Sequence, residues 1–183
     1  MSQLGFYYDM TGCTSCKVCQ IACSDKNDLE VGTLFRKVYN YEGGVFPKPW
    51  AYNLSISCNH CVDPKCVKNC PTGALNKREG DGVVLHDKEK CIGCKFCTWS
   101  CPYGAPKYIE AIGKVSKCDF CADLLDKGEE PACVSACTMR VLHYGELEDL
   151  KKKYGQTADA QGLPDSGITK PSLVLKPTQE AMK

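Results

Sequence analysis

One stretch governs what this 183-residue chain can fold into: residues 58–102. It reads CNHCVDPKCVKNCP, then nineteen residues, then CIGCKFCTWSCP. The second run has the spacing C-x2-C-x2-C-x3-C-P. That is the ferredoxin pattern for a [4Fe–4S] cluster, in which three cysteines hold one cluster and the fourth reaches its neighbour. The first run, Cys58, Cys61, Cys66 and Cys70, widens the middle gap by two residues and keeps the C-x3-C-P ending. Two more quartets flank the pair: Cys13, Cys16, Cys19, Cys23 before it and Cys118, Cys121, Cys133, Cys137 after it. All sixteen cysteines of the chain fall into the four quartets. The arithmetic points to four cubane clusters and to electron transfer.

The ferredoxin rule assigns ligands within the central pair: Cys91, Cys94, Cys97 with Cys70, and Cys58, Cys61, Cys66 with Cys101. The same exchange applied to the outer quartets gives Cys13, Cys16, Cys19 with Cys137, and Cys118, Cys121, Cys133 with Cys23. Zinc is the competing reading, because paired C-x2-C motifs also make four-thiolate sites. Zinc sites join two C-x2-C units across a spacer, whereas each quartet here closes on C-x3-C. Disulfides are disfavoured by the absence of a basic and apolar leader pattern over residues 1–9. No apolar run approaches the length of a membrane-spanning helix, so any membrane contact is expected through another subunit.

Without its cysteines the chain has fewer apolar residues than an ordinary domain of this length, so metal binding is expected to supply folding free energy. The formal charge is +1, and a cubane with four thiolates carries about 2−, so the loaded protein becomes distinctly anionic. Lys17, Lys65, Lys68, Lys90, Lys95 and Lys117 interleave with the ligands and offer partial compensation. No basic stripe suggests a nucleic acid partner. His60, His86 and His143 are dispersed; His60 finds no open ligand position in its quartet and reads as structural. Trp99, Tyr103 and Phe120 read as packing that keeps water from the clusters. No nucleophile–base pair, phosphate loop or second cofactor motif is visible, so substrate chemistry is placed on another chain.

Local patterns fill in the rest. Residues 4–9 read as a strand, 17–25 as a short helix, and 34–42 and 51–57 as strands around a proline-bearing loop at 43–50. Asp63-Pro64 reads as the start of a helix ending at Cys70, and residues 75–86 as a hairpin turning at Gly80-Asp81-Gly82. Helices are expected over 119–127, from Pro131 through Cys137, and over 146–154 with its acids first and bases last. Residues 155–183 read as an extended arm wrapped over the body or a partner and frayed at its end. The expected fold is α+β with two ferredoxin-like two-cluster modules. Residues 51–110 form the central one, residues 1–50 and 111–154 the outer one, and 155–183 the arm.

The motifs GFYYDMTGCTSCKVCQIAC, LFRKVYNYEGG, LSISCNHCVDPKCVKNCPTGA, KCIGCKFCTWSCPYGAP, KCDFC and TKPSLVLKP resemble the four-cluster iron–sulfur subunit of the dimethyl sulfoxide reductase family of molybdopterin oxidoreductases. The resemblance implies a molybdopterin-containing catalytic subunit on one side and an integral membrane quinol-oxidising subunit on the other, with this chain as the wire. It implies that electrons enter at the Cys58, Cys61, Cys66, Cys101 cluster and pass to Cys91, Cys94, Cys97, Cys70. They then cross to Cys118, Cys121, Cys133, Cys23 and leave from Cys13, Cys16, Cys19, Cys137. A free-standing polyferredoxin carrier is the alternative. Nitrate-reductase relatives carry tryptophan at the position of Cys94 and a [3Fe–4S] cluster, so a fourth cubane is expected here. Thr138 stands where proline often follows the last cysteine.

Overall fold

The computed structural model describes residues 2–182. Its organising strand is β1, Leu4–Asp9, buried on both faces. Alternation divides its side chains. Tyr7 packs with Leu147, Leu150 and Val174 on one face, while Phe6 and Tyr8 enter the main core on the other. A 3₁₀ turn at Met10–Gly12, held by Asp9 accepting from the Thr11 amide, leads into the first cysteines and α1, Val18–Lys26.

The next two strands reach further toward each other than the sequence suggested. β2 (Lys37–Val45) and β3 (Lys48–Ile56) pair antiparallel along nine residue pairs, so the expected loop at 43–50 shrinks to a two-residue turn. Packing overrides the glycines and prolines there: the Trp50 ring lies over Gly43, where a Cβ would approach it to 2.5 Å. Trp50, Tyr52 and Tyr41 stack in series across the ladder, the cross-strand contact that stabilises a hairpin.

The central quartets carry α2 (Lys65–Lys68), the hairpin strands β4 (Leu75–Lys77) and β5 (Val84–His86), and α3 (Phe96–Ser100). α2 starts after Pro64, not at it, and stops at Asn69. Asp63 pairs with Lys65 and Lys68 and makes no cap hydrogen bond. Strands β6 (Lys107–Ile109) and β7 (Lys114–Ser116) form a further two-stranded ladder. α4 (Ala122–Leu125) and α5 (Ala132–Ser135) are single turns. Both are shorter than expected, and Cys137 lies beyond α5 rather than one turn along it.

The chain returns through β8 (Leu142–Glu146) and α6 (Leu147–Tyr154), then ends in β9 (Leu173–Lys176). β1 lies between β8, antiparallel, and β9, parallel. Residues 155–182 therefore contribute a sheet strand. They also cover the second quartet: the Val62 and Asp63 amides donate to Lys170 and Thr169, and the Ser172 amide to Asn59. Fraying at Lys183 lies outside the described residues. The structure is mixed α and β, with small sheets and six helices compatible with a ferredoxin-like domain. α1 packs on α5 and α2 on α3, so the first quartet meets the fourth and the second meets the third.

Candidate metal centres

Each quartet opens with the same backbone device. In Cys-x-x-Cys the residue before the second cysteine is left-handed: Ser15 (φ 58°), His60 (φ 43°), Gly93 (φ 68°) and Phe120 (φ 65°). A non-glycine residue adopts this region at a cost of about 1–2 kcal/mol. Four occurrences at one position of one motif, three of them non-glycine, mark a built feature, for strain of this kind collects at functional sites. The turn directs successive amides to one side, making a concavity suited to anions. Lys17 and Lys95, directly after the second cysteines of quartets one and three, are left-handed as well.

The sulfurs gather by exchange between quartets. Cys13, Cys16, Cys19 and Cys137 line one small cavity with Tyr8 and Val38. Cys70, Cys91, Cys94 and Cys97 line another with Leu75 and Val115. Cys23 lies among the charges of Cys133 and Cys121, and Cys118 near Cys23 and Cys133. Cys61 and Cys66 both lie near Cys58 and Cys101. In a four-thiolate zinc site the sulfurs stand about 3.8 Å apart. Among the described residues no three Cys, His, Asp or Glu converge to hold a single ion. The sulfur-only donor sets, two of them each lining a common cavity, fit a larger sulfur-ligated group.

The sets also have an order. Cys66 packs with Cys70, Cys91 and Cys97; Cys58 and Cys101 pack with Cys23 and Cys118; Cys19 and Cys137 pack with Cys133. The sequence runs from Cys70/91/94/97 to Cys58/61/66/101, then to Cys23/118/121/133 and Cys13/16/19/137. In this packing order the Cys91 set is terminal, whereas the expected path began at the Cys58 set. All four cysteines of the Cys118 set are buried, whereas the two end sets contain exposed or half-buried sulfurs.

Burial pushes the thiols of Cys23, Cys61 and Cys66 up to about 12 and that of Cys97 to about 11, and neighbouring cysteines add to the rise. Such sulfurs keep their protons near neutrality until a cationic core replaces them. Exposed Cys16 is different: the Val18 amide and the Thr138 and Thr14 hydroxyls lower its pKa. At Cys70 burial works against ionisation, but amides of Leu75, Thr72 and Ala74 and the Thr72 hydroxyl outweigh it. Tyr103, Gly104 and Ala105 supply the same backbone bonds to Cys101. Cys-Pro thus turns the chain so that the following amides face the sulfur.

Of the interleaved lysines, Lys65 and Lys68 pair with Asp63, Lys90 with Asp87, and Lys95 lies over the Tyr108 ring at 3.8 Å. Lys117 alone is buried, donating to the Val84 and Cys118 carbonyls. His60 is buried with Nδ1 accepting from the Val84 amide at 3.0 Å; burial, then Lys117 and Arg36, hold it neutral. Phe120 is buried and stacks on Phe6 at 4.1 Å, and Tyr103 is half-buried. Trp99 is 73% exposed, which removes it from the expected water barrier. Sequence reasoning passed over Arg36, which is 2% exposed. It lies one residue before β2, in step with buried Val38.

A family model described as a 4Fe-4S dicluster domain matches residues 50–147. The chain is 46% identical to the B component of the anaerobic dimethyl sulfoxide reductase of Escherichia coli K12, over 96% of its own length and 89% of that protein's. It is 39% identical to the B component of the sulfite dehydrogenase of Allochromatium vinosum, over 81% of this chain and 71% of that protein. With the formate dehydrogenase iron-sulfur subunit of Wolinella succinogenes the identity is 33%, covering 81% and 84%. The sixteen cysteines and the dicluster match fit four [4Fe–4S] clusters. This polypeptide belongs to the family of iron–sulfur subunits of dimethyl sulfoxide reductase-type oxidoreductases, as an electron-transfer subunit that is not itself catalytic.

Proposed function

We propose that the chain relays single electrons through four [4Fe–4S] clusters between a quinol-oxidising membrane subunit and a molybdopterin catalytic subunit. Cys91, Cys94, Cys97 and Cys70 hold the first; Cys58, Cys61, Cys66 and Cys101 the second. Cys118, Cys121, Cys133 and Cys23 hold the third; Cys13, Cys16, Cys19 and Cys137 the fourth. The observation that carries this reading is the serial packing of the four sulfur sets, with the innermost buried and both ends reaching the surface. Each cluster, when bound, takes up or gives one electron without bond rearrangement. The protein holds the sulfurs, excludes water between neighbouring sets and leaves the two ends accessible.

The division into two modules, residues 51–110 and the two chain ends, follows from which quartets share ligands. The pairings of α2 with α3 and α1 with α5 support it. Among the described residues no helix is long and apolar enough to cross a membrane; in the proposed assembly the membrane subunit supplies the attachment. The entry end carries exposed Ile92, Phe96 and Trp99 beside Cys70 and Cys91, an apolar surface suited to such a partner.

Replacing Cys94 by serine in the assembled complex tests the reading. The change removes one ligand at the terminal set and favours a three-iron cluster of higher potential, an electron sink. Quinol-driven turnover should fail while turnover from an artificial donor feeding the catalytic subunit survives. Equal loss of both activities would refute the assignment of this end to the quinol side.

A further inference from the structure

Arg36 is a buried cation with no carboxylate partner among the described residues. Among the described residues its hydrogen bonds go only to hydroxyl and carbonyl oxygens: Nη1 donates to Ser55 Oγ at 3.2 Å and Ser55 O at 3.4 Å, and Nη2 to Ser57 Oγ at 2.9 Å. Nε has no partner among the described residues. A cation removed from water without an opposite charge is heavily penalised, and a guanidinium cannot escape by losing its proton. Some anion absent from the polypeptide must account for it.

The surroundings locate that anion. The Ser55 hydroxyl that receives Arg36 also lies 3.5 Å from Cys19 Sγ. The guanidinium stands 4.9 Å from the centre of the Phe6 ring, which stacks at 4.1 Å on Phe120. The Phe120 amide in turn donates to Cys118 Sγ at 3.4 Å. Arg36 thus stands between the Cys13/16/19/137 and Cys23/118/121/133 sets. Burial works against its charge, and the Cys133, Cys19, Cys118 and Cys23 sulfurs outweigh that effect.

We propose that Arg36 is the fixed counter-charge of this junction and raises the reduction potential of the group held by Cys23, Cys118, Cys121 and Cys133. The inference rests on the cluster assignment above. One-electron reduction takes a cubane with its four thiolates from about 2− to about 3−, with no proton or bond exchanged. A permanent positive charge in a water-excluded setting favours the more negative state. At the most buried set, where desolvation opposes reduction, this compensation keeps the electron path from meeting a barrier between its ends.

The test is anaerobic potentiometry of the purified complex, followed by electron paramagnetic resonance, on wild type, Arg36→Gln and Arg36→Lys. Iron and sulfide are counted first. Wild-type protein short of sixteen iron atoms would count against the cluster assignment itself and leaves a different signature from the outcomes below. Arg36→Gln is expected to disfavour reduction of the Cys118-set cluster at least tenfold, about 59 mV for one electron. Arg36→Lys should stay within twofold of wild type. If Gln shifts the equilibrium less than twofold, or Lys shifts it as far as Gln, the proposal is overturned. If Arg36→Gln loses iron while Arg36→Lys keeps it, the junction requires the charge itself and the proposal stands. Equal iron loss in both variants overturns it.

Discussion

The Thr138 hydroxyl lies 3.6 Å from the sulfur of Cys16, joining the residue after the last cysteine to the exposed end of the first quartet. The absence of proline at this position therefore has a local consequence. α5 already ends at Ser135, so no proline is needed to stop it, and the position is free to place a donor on a surface thiolate. A hydrogen bond to a ligating sulfur stabilises the more negative state of the site.

Thr138→Val is accordingly expected to lower the potential of the Cys13/16/19/137 site. A neutral hydrogen bond contributes about 0.5–1.5 kcal/mol, equivalent to a few tens of millivolts for one electron. Thr138→Ser should restore most of the difference. Potentiometry on the two variants decides this; identical potentials in wild type and Thr138→Val would remove the role.

Anaerobically purified protein should contain about 16 iron and 16 acid-labile sulfide per chain, four of each per cubane. Reproducible recovery of twelve or fewer iron atoms from intact complex, or of stoichiometric zinc, would contradict four cubanes.

Cluster retention should depend on pH with a definite sign. The thiols of Cys23, Cys61, Cys66 and Cys97 are raised to about 12, 12, 12 and 11, so the metal-free fold binds more protons than the loaded one across the neutral range. Raised thiols favour the metal-free fold below their unfolded values and cease to do so as pH climbs through 11–12; loading displaces those protons and strengthens as pH rises. Competition with a chelator, followed by visible absorbance, should show iron lost progressively on acidification. With several protons displaced per cluster, the apparent affinity should change by more than tenfold per pH unit. Loss of iron should also abolish cooperative unfolding, because Cys19, Cys133 and Cys137 lie inside the main core among Phe6, Tyr8 and Leu175. A metal-free chain with a cooperative thermal transition would disprove that coupling.

Gly93→Ala should damage one site selectively. Gly93 has φ 68°, and a Cβ there would meet the Gly113 carbonyl oxygen at 2.2 Å. Left-handed alanine costs about 1–2 kcal/mol before that collision is relieved. Iron is expected to leave the Cys70/91/94/97 site while the other three remain. Gly73→Ala, at φ 65° with nothing within 4 Å of the added carbon, supplies the control and should keep full iron.

Much of the fold was legible locally. The aromatic run at Leu4–Asp9, the hairpin from Leu75 to His86 and the helix before Tyr154 each form where their patterns indicate. Errors arose where ligand geometry or packing outranked local preference. α4 and α5 are cut to four residues because the segment between Cys118 and Cys137 must direct four sulfurs to two centres. The glycines and prolines of residues 43–50 read as a loop, yet the Trp50, Tyr52 and Tyr41 stack holds the strands together almost to their tips. Asp63 looked like a helix cap and instead neutralises two of the lysines that seemed available to the clusters.

By itself the sequence determined the number of cysteines, their spacing and therefore the kind of group they hold, because ligand spacing is a covalent property of the chain. It could also set which residues turn each loop, since the left-handed position is fixed relative to the second cysteine. The order of the sulfur sets was decided only in three dimensions. Cys58 meets Cys118, and Cys19 meets Cys133, across wide sequence separations through packing of separate segments. The same holds for Arg36: an ordinary surface-type residue in the sequence becomes a buried charge only when β3, Phe6 and four distant sulfurs close around it. Burial and electrostatic environment are sums over neighbours that no local spacing encodes.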